Sequence, residues 1–260
     1  MKEGEMPLTE HLGELRKSII VSLAFVTIAF VVAFNFSESL FNVLMFPLRD
    51  MIKFDLHRPF LHLVKKAKQT SLVFLSPTEA FWMYLKISFV AGLMVALPAI
   101  FYEVWRFISP GLLEKERKYV LPFIVSSTML FLVGGLFCFV IVLPFGMSFL
   151  LGYQTQNLTP MISVGNYVDF CLKFILAFGV IFELPLAIVL LTRFGIVTPQ
   201  SLAKKRRYAI VLCFVIGAVL TPPDAFTQGL LAIPMIVLFE AGILISRIIY
   251  KRTKKPDVVP

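Results

Sequence analysis

Six stretches of the chain are mainly apolar and rich in Leu, Ile, Val and Phe: about 18–36, 77–108, 119–147, 167–192, 208–220 and 226–249. A hydrocarbon core about 30 Å thick needs about 20 mainly apolar residues per helical crossing, so these runs predict an all-α, polytopic membrane protein with six spans. Pro98, Pro185 and Pro234 fall inside the runs, where a missing donor and a ring clash kink a helix. In lipid the carbonyls so released need neighbours, which predicts one packed bundle, a single membrane domain over 1–260. The fifth run is short, rising only about 20 Å as a helix; a span of that length thins the bilayer or is buried by its neighbours. Residues 37–76 form a long polar and apolar mixture, read as short helices lying at the membrane surface. Pro47 is placed there to break one of them.

The first run follows Arg16 and Lys17, as the apolar region of a secretory signal does. It is long enough to span, and it ends in Asn35-Phe36-Ser37-Glu38 with no small-x-small cleavage site. Composition agrees with lipid: 58% hydrophobic, 16% charged and a mean hydropathy of +0.85, against about 25% charged in soluble domains.

The net charge of +9 reports topology rather than nucleic acid, because the basic residues cluster between the runs. Lys2, Arg16 and Lys17 precede the first run. Arg106, Lys115, Arg117 and Lys118 separate the second and third, Arg193 and Lys204 to Arg207 separate the fourth and fifth, and Arg247 to Lys255 close the chain. All these segments fall on one side, and the loops 148–166 and 221–225 opposite carry no Lys or Arg. The positive-inside rule puts both termini in the cytoplasm. The basic loop 37–76 is the one contrary segment.

Chemistry is scarce. The chain holds no GxxxxGK[ST] loop to cradle phosphates. It has neither HExxH nor GxSxG, and His11, His57 and His62 lie outside the runs. Cys138, Cys171 and Cys213 lie inside the runs without metal spacing and read as small core residues. These observations argue against an enzyme and require no cofactor.

The polar residues that stand out are few. Glu14, in Glu10-His11-Leu12-Gly13-Glu14-Leu15-Arg16-Lys17, precedes the first run, and Glu116, in Glu114-Lys115-Glu116-Arg117-Lys118, precedes the third. Taken alone, each is a solvated carboxylate beside basic neighbours. Glu183 lies within the fourth run, where an ionisable group faces the bundle or water; it is either a protonated packing residue or a polar point in a groove. Lys173, four residues after Asp169, is expected to pair with it. Lys86 and Glu240 lie near helix ends and can snorkel. Thr221 and Gln228 flank the break at Thr221-Pro222-Pro223-Asp224, offering polar groups to a partner helix, and Asp224 can cap the last helix.

Four of these segments together resemble the TatC family, the polytopic core component of the twin-arginine protein translocase. His11-Leu12-Gly13-Glu14-Leu15-Arg16 is similar to its HLxELR element. Tyr102-Glu103-Val104-Trp105-Arg106-Phe107-Ile108-Ser109-Pro110-Gly111-Leu112 with Glu116-Arg117 is similar to its YxxWxFxxPGL and ER run. Phe178 to Pro185 and Leu220 to Asp224 are similar to its fourth-span and last-turn patterns, and the order is the family's. Glu103 stands where relatives often carry Gln.

The resemblance implies a receptor for signal peptides bearing paired arginines, in a bacterial-type cytoplasmic (inner) membrane. Glu14 and Glu116 would contact the signal, with Glu103 beside them and Phe107 and Pro110 shaping the loop. A guanidinium offers a planar fork of donors that a carboxylate accepts in two parallel bonds, which an ammonium cannot reproduce. The resemblance further implies single-span partners of the TatA and TatB type docking near Thr221, Asp224 and Gln228, self-association in a complex, and energy from the proton gradient. Pro47 matches a family position. Two other readings remain: a secondary transporter or channel with Glu183 and Lys173 as pathway charges, and a passive scaffold.

Overall fold

The computed structural model describes residues 8–54, 61–65, 72–108, 120–152, 161–221 and 224–253. The helices are α1 (Leu8–Phe34), α2 (Ser37–Leu44), α3 (Phe46–Arg49), α4 (Glu79–Ile108), α5 (Val120–Phe137), α6 (Leu143–Gly152), α7 (Val164–Phe182), α8 (Leu184–Arg193), α9 (Pro199–Lys204), α10 (Arg206–Leu220) and α11 (Ala225–Thr253). Two small sheets accompany them. β1 (Asp50–Phe54) pairs with β2 (Leu61–Lys65), and β3 (Leu72–Val73) lies parallel to β4 (Ile162–Ser163).

Among the described residues, five segments are long and apolar enough to cross a bilayer: 11–34, 79–108, 120–152, 164–193 and 225–250. The remaining apolar run forms α10, whose 15 residues rise about 22 Å and fall short of a full crossing by themselves. α1 starts at Leu8, ten residues before the apolar run, because Glu10 to Lys17 are mostly good helix formers and the polar turns extend the helix beyond its apolar part. In the expected surface-helix segment only α2 and α3 are helical among the described residues; strands β1 and β2 follow. Pro47 sits in the first turn of α3, just after α2 stops at Leu44. It cannot donate to the carbonyl four residues back, so the two helices do not fuse.

Prolines break the long segments in two further ways. Pro98 and Pro234 are carried inside α4 and α11. Pro185 lies in the first turn of α8, and the helix is interrupted just before it, at Glu183. Pro144 follows a widened π-helical turn at Cys138–Val142, where the ladder adjusts to a residue that has no N–H to give.

The chain folds into two compact units. In the first, 1–50 with 65–132 and 159–173, α1 packs along α4. Gly92 makes that packing close: a Cβ there would lie 2.7 Å from the Phe30 Cα and N. The parallel pair β3–β4 leads straight into α4 and α7, so these helices start side by side. Glu79 ties the two starts together, because its Oε2 accepts from the Leu75 N–H (2.7 Å) and its Oε1 from the Gly165 N–H (2.7 Å) and the Ser163 hydroxyl.

The carbonyl that the α2 break releases is also used. Tyr167, 2% exposed, donates its hydroxyl to the Leu44 oxygen at 2.7 Å. Tyr167→Phe strands that carbonyl in the interior and is expected to cost about 1–3 kcal/mol, read as a lower melting temperature of the purified protein.

The second unit is 51–64 with 133–158 and 174–260. In it α11 packs against α8 and α10. Gly242 of α11 lies against α8, where a Cβ would meet Ile188 Cδ1 at 2.8 Å and Pro185 Cα at 3.0 Å. The buried Ser246 hydroxyl donates to Thr192 Oγ1 at 2.8 Å, joining the same helices. α8 ends in a Gly195 turn with φ +71, whose N–H bonds Thr192 O while Ile196 N–H bonds Leu191 O. Only glycine takes that conformation without cost. Cys138, Cys171 and Cys213 are buried and form no disulfide.

Candidate functional site

The residues singled out before the first span and at the end of the second come together along α1 and α4. Leu15, Ser18, Ser22 and Val26 on α1 recur every three or four residues and so share one helix face. Opposite them stand Leu93, Ile100, Glu103 and Phe107 on α4. The two helices run antiparallel, since Phe30 meets Gly92 while the other end of α1 meets Phe107. Between them lies a groove of about 420 Å³ with almost wholly apolar walls.

Its lining carries one carboxylate, Glu103, besides the hydroxyls of Ser18 and Ser22. Glu103 is 4% exposed, and its Oε2 has no hydrogen-bond partner among the described residues. Its Oε1 meets Arg106 Nη1 at 3.5 Å, the long end of a hydrogen bond. Glu14 stands one residue before Leu15, half-buried, with Oε2 shielded from solvent and 3.7 Å from His11 Nδ1. The His11 ring stacks on Phe107 at 4.3 Å between centroids and 15° between planes. Phe107 therefore touches the α1 turn that carries Glu14. A site with apolar walls, shielded carboxylate oxygens and a weakly held in-chain guanidinium is suited to a cationic ligand with an apolar continuation, since a buried acceptor without a donor gains most from a charged one. Glu116 and Pro110 lie outside the described residues.

A polar cluster also marks the turn between α10 and α11. The buried Thr221 hydroxyl donates to Gly217 O at 2.9 Å, and Gln228 Nε2 donates to Phe214 O at 2.9 Å. Asp224 Oδ1 accepts from the Thr227 N–H at 2.7 Å, closing the first turn of α11, and its other oxygen meets the Thr227 hydroxyl. Those two bonds, the hydroxyl's first, hold the Asp224 carboxyl below the usual carboxylate range. The charged cap is thus kept at neutral pH and lost only as the pH falls below that range. Glu183 is half-buried at the α7–α8 break, where its N–H bonds Val180 O and its carbonyl accepts from Ala187.

A profile of the family described as Sec-independent protein translocase protein (TatC) matches residues 10–234. The protein of that description from Aquifex aeolicus is 39% identical over 252 residues, covering 96% of this chain and 98% of the relative. Its counterpart from Escherichia coli K12 is 37% identical over 246 residues, covering 94% and 90%. The chain belongs to the TatC family. A solved structure described as the twin arginine translocase receptor TatC in DDM superposes with a TM-score of 0.78 at 38% identity, over 91% of this chain and 99% of that one. The chain is accordingly a multi-pass subunit of a Sec-independent protein translocase, a transport component and not a catalyst. The matched region includes Glu14, Pro47, Glu103, Phe107, Pro110, Glu116, Glu183, Thr221, Asp224 and Gln228.

Several polar links in this protein are not visible from local sequence. Asp169 pairs with Lys86, Nζ to the two carboxylate oxygens at 2.7 and 2.8 Å, and not with Lys173 as its spacing suggests. The reason is that α4 and α7 start together, so residues near the same depth on both helices meet. The only sequence signal is opposite charge at matching distances from two helix starts. Glu240 likewise pairs with Arg206, at 2.7 Å. The stacking of His11 on Phe107 is invisible in the sequence, and it gives the His11–Arg16 motif a physical role in placing Glu14.

Proposed function

We propose that this protein receives twin-arginine signal peptides at the cytoplasmic face of a bacterial-type inner membrane and organises partner subunits for export of folded proteins. The observation that carries the proposal is the α1–α4 groove, with the buried Glu103 in its lining and Glu14 next to the lining residue Leu15 in the chain. A signal peptide has a basic start and an apolar stretch. The carboxylates take the guanidinium forks, Glu116 adding a further acceptor from the loop past Pro110, and the apolar stretch lies along Ile19, Leu23 and Val104. Basic segments before α1, after α4 and around α9 put both termini in the cytoplasm. The relative whose structure is solved is itself described as a receptor.

Partners of the TatA and TatB type, each with a single span, dock beside α10 and α11. The short α10 exposes Val211, Val215 and Val219, and Thr221, Asp224 and Gln228 mark its end. Glu183 supplies a polar point at the α7–α8 break for cargo or a partner helix. Copies of the subunit associate in the working complex, and the proton gradient supplies the energy.

A photoreactive residue at Ile19 or Val104 is expected to cross-link to a precursor carrying an Arg-Arg signal, with little labelling from Val237, exposed on α11. Equal labelling from all three positions would remove the groove from the proposal.

A further inference from the structure

A second groove in the first unit lies beside the paired starts of α4 and α7, far along α4 from Glu103. It measures about 550 Å³ and is walled by Trp82, Phe89 and Leu172, with Lys86, Asp169 and Lys173 at its edge. Lys86 and Asp169 neutralise each other. Lys173 is exposed and has no ion-pair or hydrogen-bond partner among the described residues, so the groove carries one net positive charge.

Depth says what balances that charge. The apolar segments 79–108 and 164–193 have 30 residues each, about 45 Å of helix, which overruns a core of about 30 Å by about 7 Å at either end. Lys86 is seven residues into α4 and Lys173 nine into α7, about 10 and 13 Å along. Both backbone positions thus lie just inside the core edge, and a lysine stem reaches from there to the headgroups. Trp82, 57% exposed, is one turn nearer the surface, where aromatic residues favour the interface. Below the ammonium groups the groove is apolar. Its surroundings are therefore those of one lipid: phosphate at the rim and acyl chain in the groove.

We infer that this groove is a binding site for a phospholipid of net negative charge, its phosphate held by Lys173 with help from Lys86 and its chain lying against Phe89 and Leu172. Charge complementarity selects the anionic class, because a zwitterionic headgroup leaves the extra positive charge unbalanced. Phosphatidylglycerol is the simplest probe.

The test is native mass spectrometry of the delipidated full-length protein with added phosphatidylglycerol or phosphatidylethanolamine. One phosphatidylglycerol should be retained in preference to phosphatidylethanolamine. Lys173→Gln should lower its retention about fivefold, the effect of one basic residue near an anionic headgroup, whereas Lys173→Arg should keep it. A photoreactive residue at Leu85 should label lipid. Equal retention of the two lipids, undiminished retention in Lys173→Gln, displacement by equimolar inorganic phosphate, or a protein adduct at Leu85 would each overturn the assignment, the last in favour of a partner helix.

Discussion

Gly92→Leu is expected to remove signal binding and lower the stability of the protein by more than any single polar substitution in the groove. A Cβ at residue 92 would lie 2.7 Å from Phe30 Cα and N and 3.0 Å from the Ala29 carbonyl carbon. Those are backbone atoms of α1, which no rotamer change can move aside. Even Gly92→Ala should cost about 1–3 kcal/mol of overpacking, although alanine is favoured over glycine by about 1 kcal/mol in a helix interior. The two effects have opposite signs, and the steric one wins because it displaces a whole helix. Gly229→Ala is the control: nothing lies within 4 Å of a Cβ there, so that variant should be neutral or slightly more stable. Glu103 is about three helical turns from Gly92 on the same face of α4, so wedging α1 away opens the groove that Glu103 lines. Thermal melting and signal-peptide affinity should fall together.

Replacing the groove carboxylates is the second large effect. Glu103→Ala and Glu14→Ala should each weaken binding of a twin-arginine peptide about ten- to a hundredfold. A hydrogen bond to a charged group is worth about 1.5–3 kcal/mol, and Glu103 is buried enough that salt screens it little. Glu38→Ala, which removes an exposed carboxylate on α2, should leave affinity unchanged. The variants differ in one informative way. Glu103→Ala also loses the weak contact to Arg106, so any change in free-protein stability appears there and not in Glu14→Ala, where only a 3.7 Å approach to His11 is lost.

Much of the architecture is legible in the sequence because lipid imposes it. Uninterrupted apolar runs locate α4, α7, α8 and α11, and Pro98 and Pro234 fall inside helices as expected. What depends on two distant segments is not legible. Lys86 and Asp169 are 83 residues apart, and no periodicity relates them until β3 and β4 set two helix starts level. The role of Glu79 is hidden for the same reason: in sequence it is an ordinary acidic residue at a helix N-terminus, while half its bonds go to residues 163 and 165. The α7–α8 interruption falls at Glu183, two residues before the proline that causes it. Near Pro144 the strain is taken up by a widened turn that sequence patterns do not distinguish from a regular helix. At the groove the sequence supplies the residues Glu14, Glu103 and Phe107, and the structure supplies their relation, through the stacked His11 ring and the apolar walls.

The most direct test of the arginine-fork account is a cycle of affinities for signal peptides with Arg-Arg or Lys-Lys, measured on the wild-type protein and on a Glu14→Ala, Glu103→Ala, Glu116→Ala triple variant. The account predicts at least about a tenfold loss from Arg-Arg to Lys-Lys in the wild type and little discrimination in the variant. An equal loss in both proteins, or no loss in the wild type, would show that these carboxylates do not read the guanidinium pair.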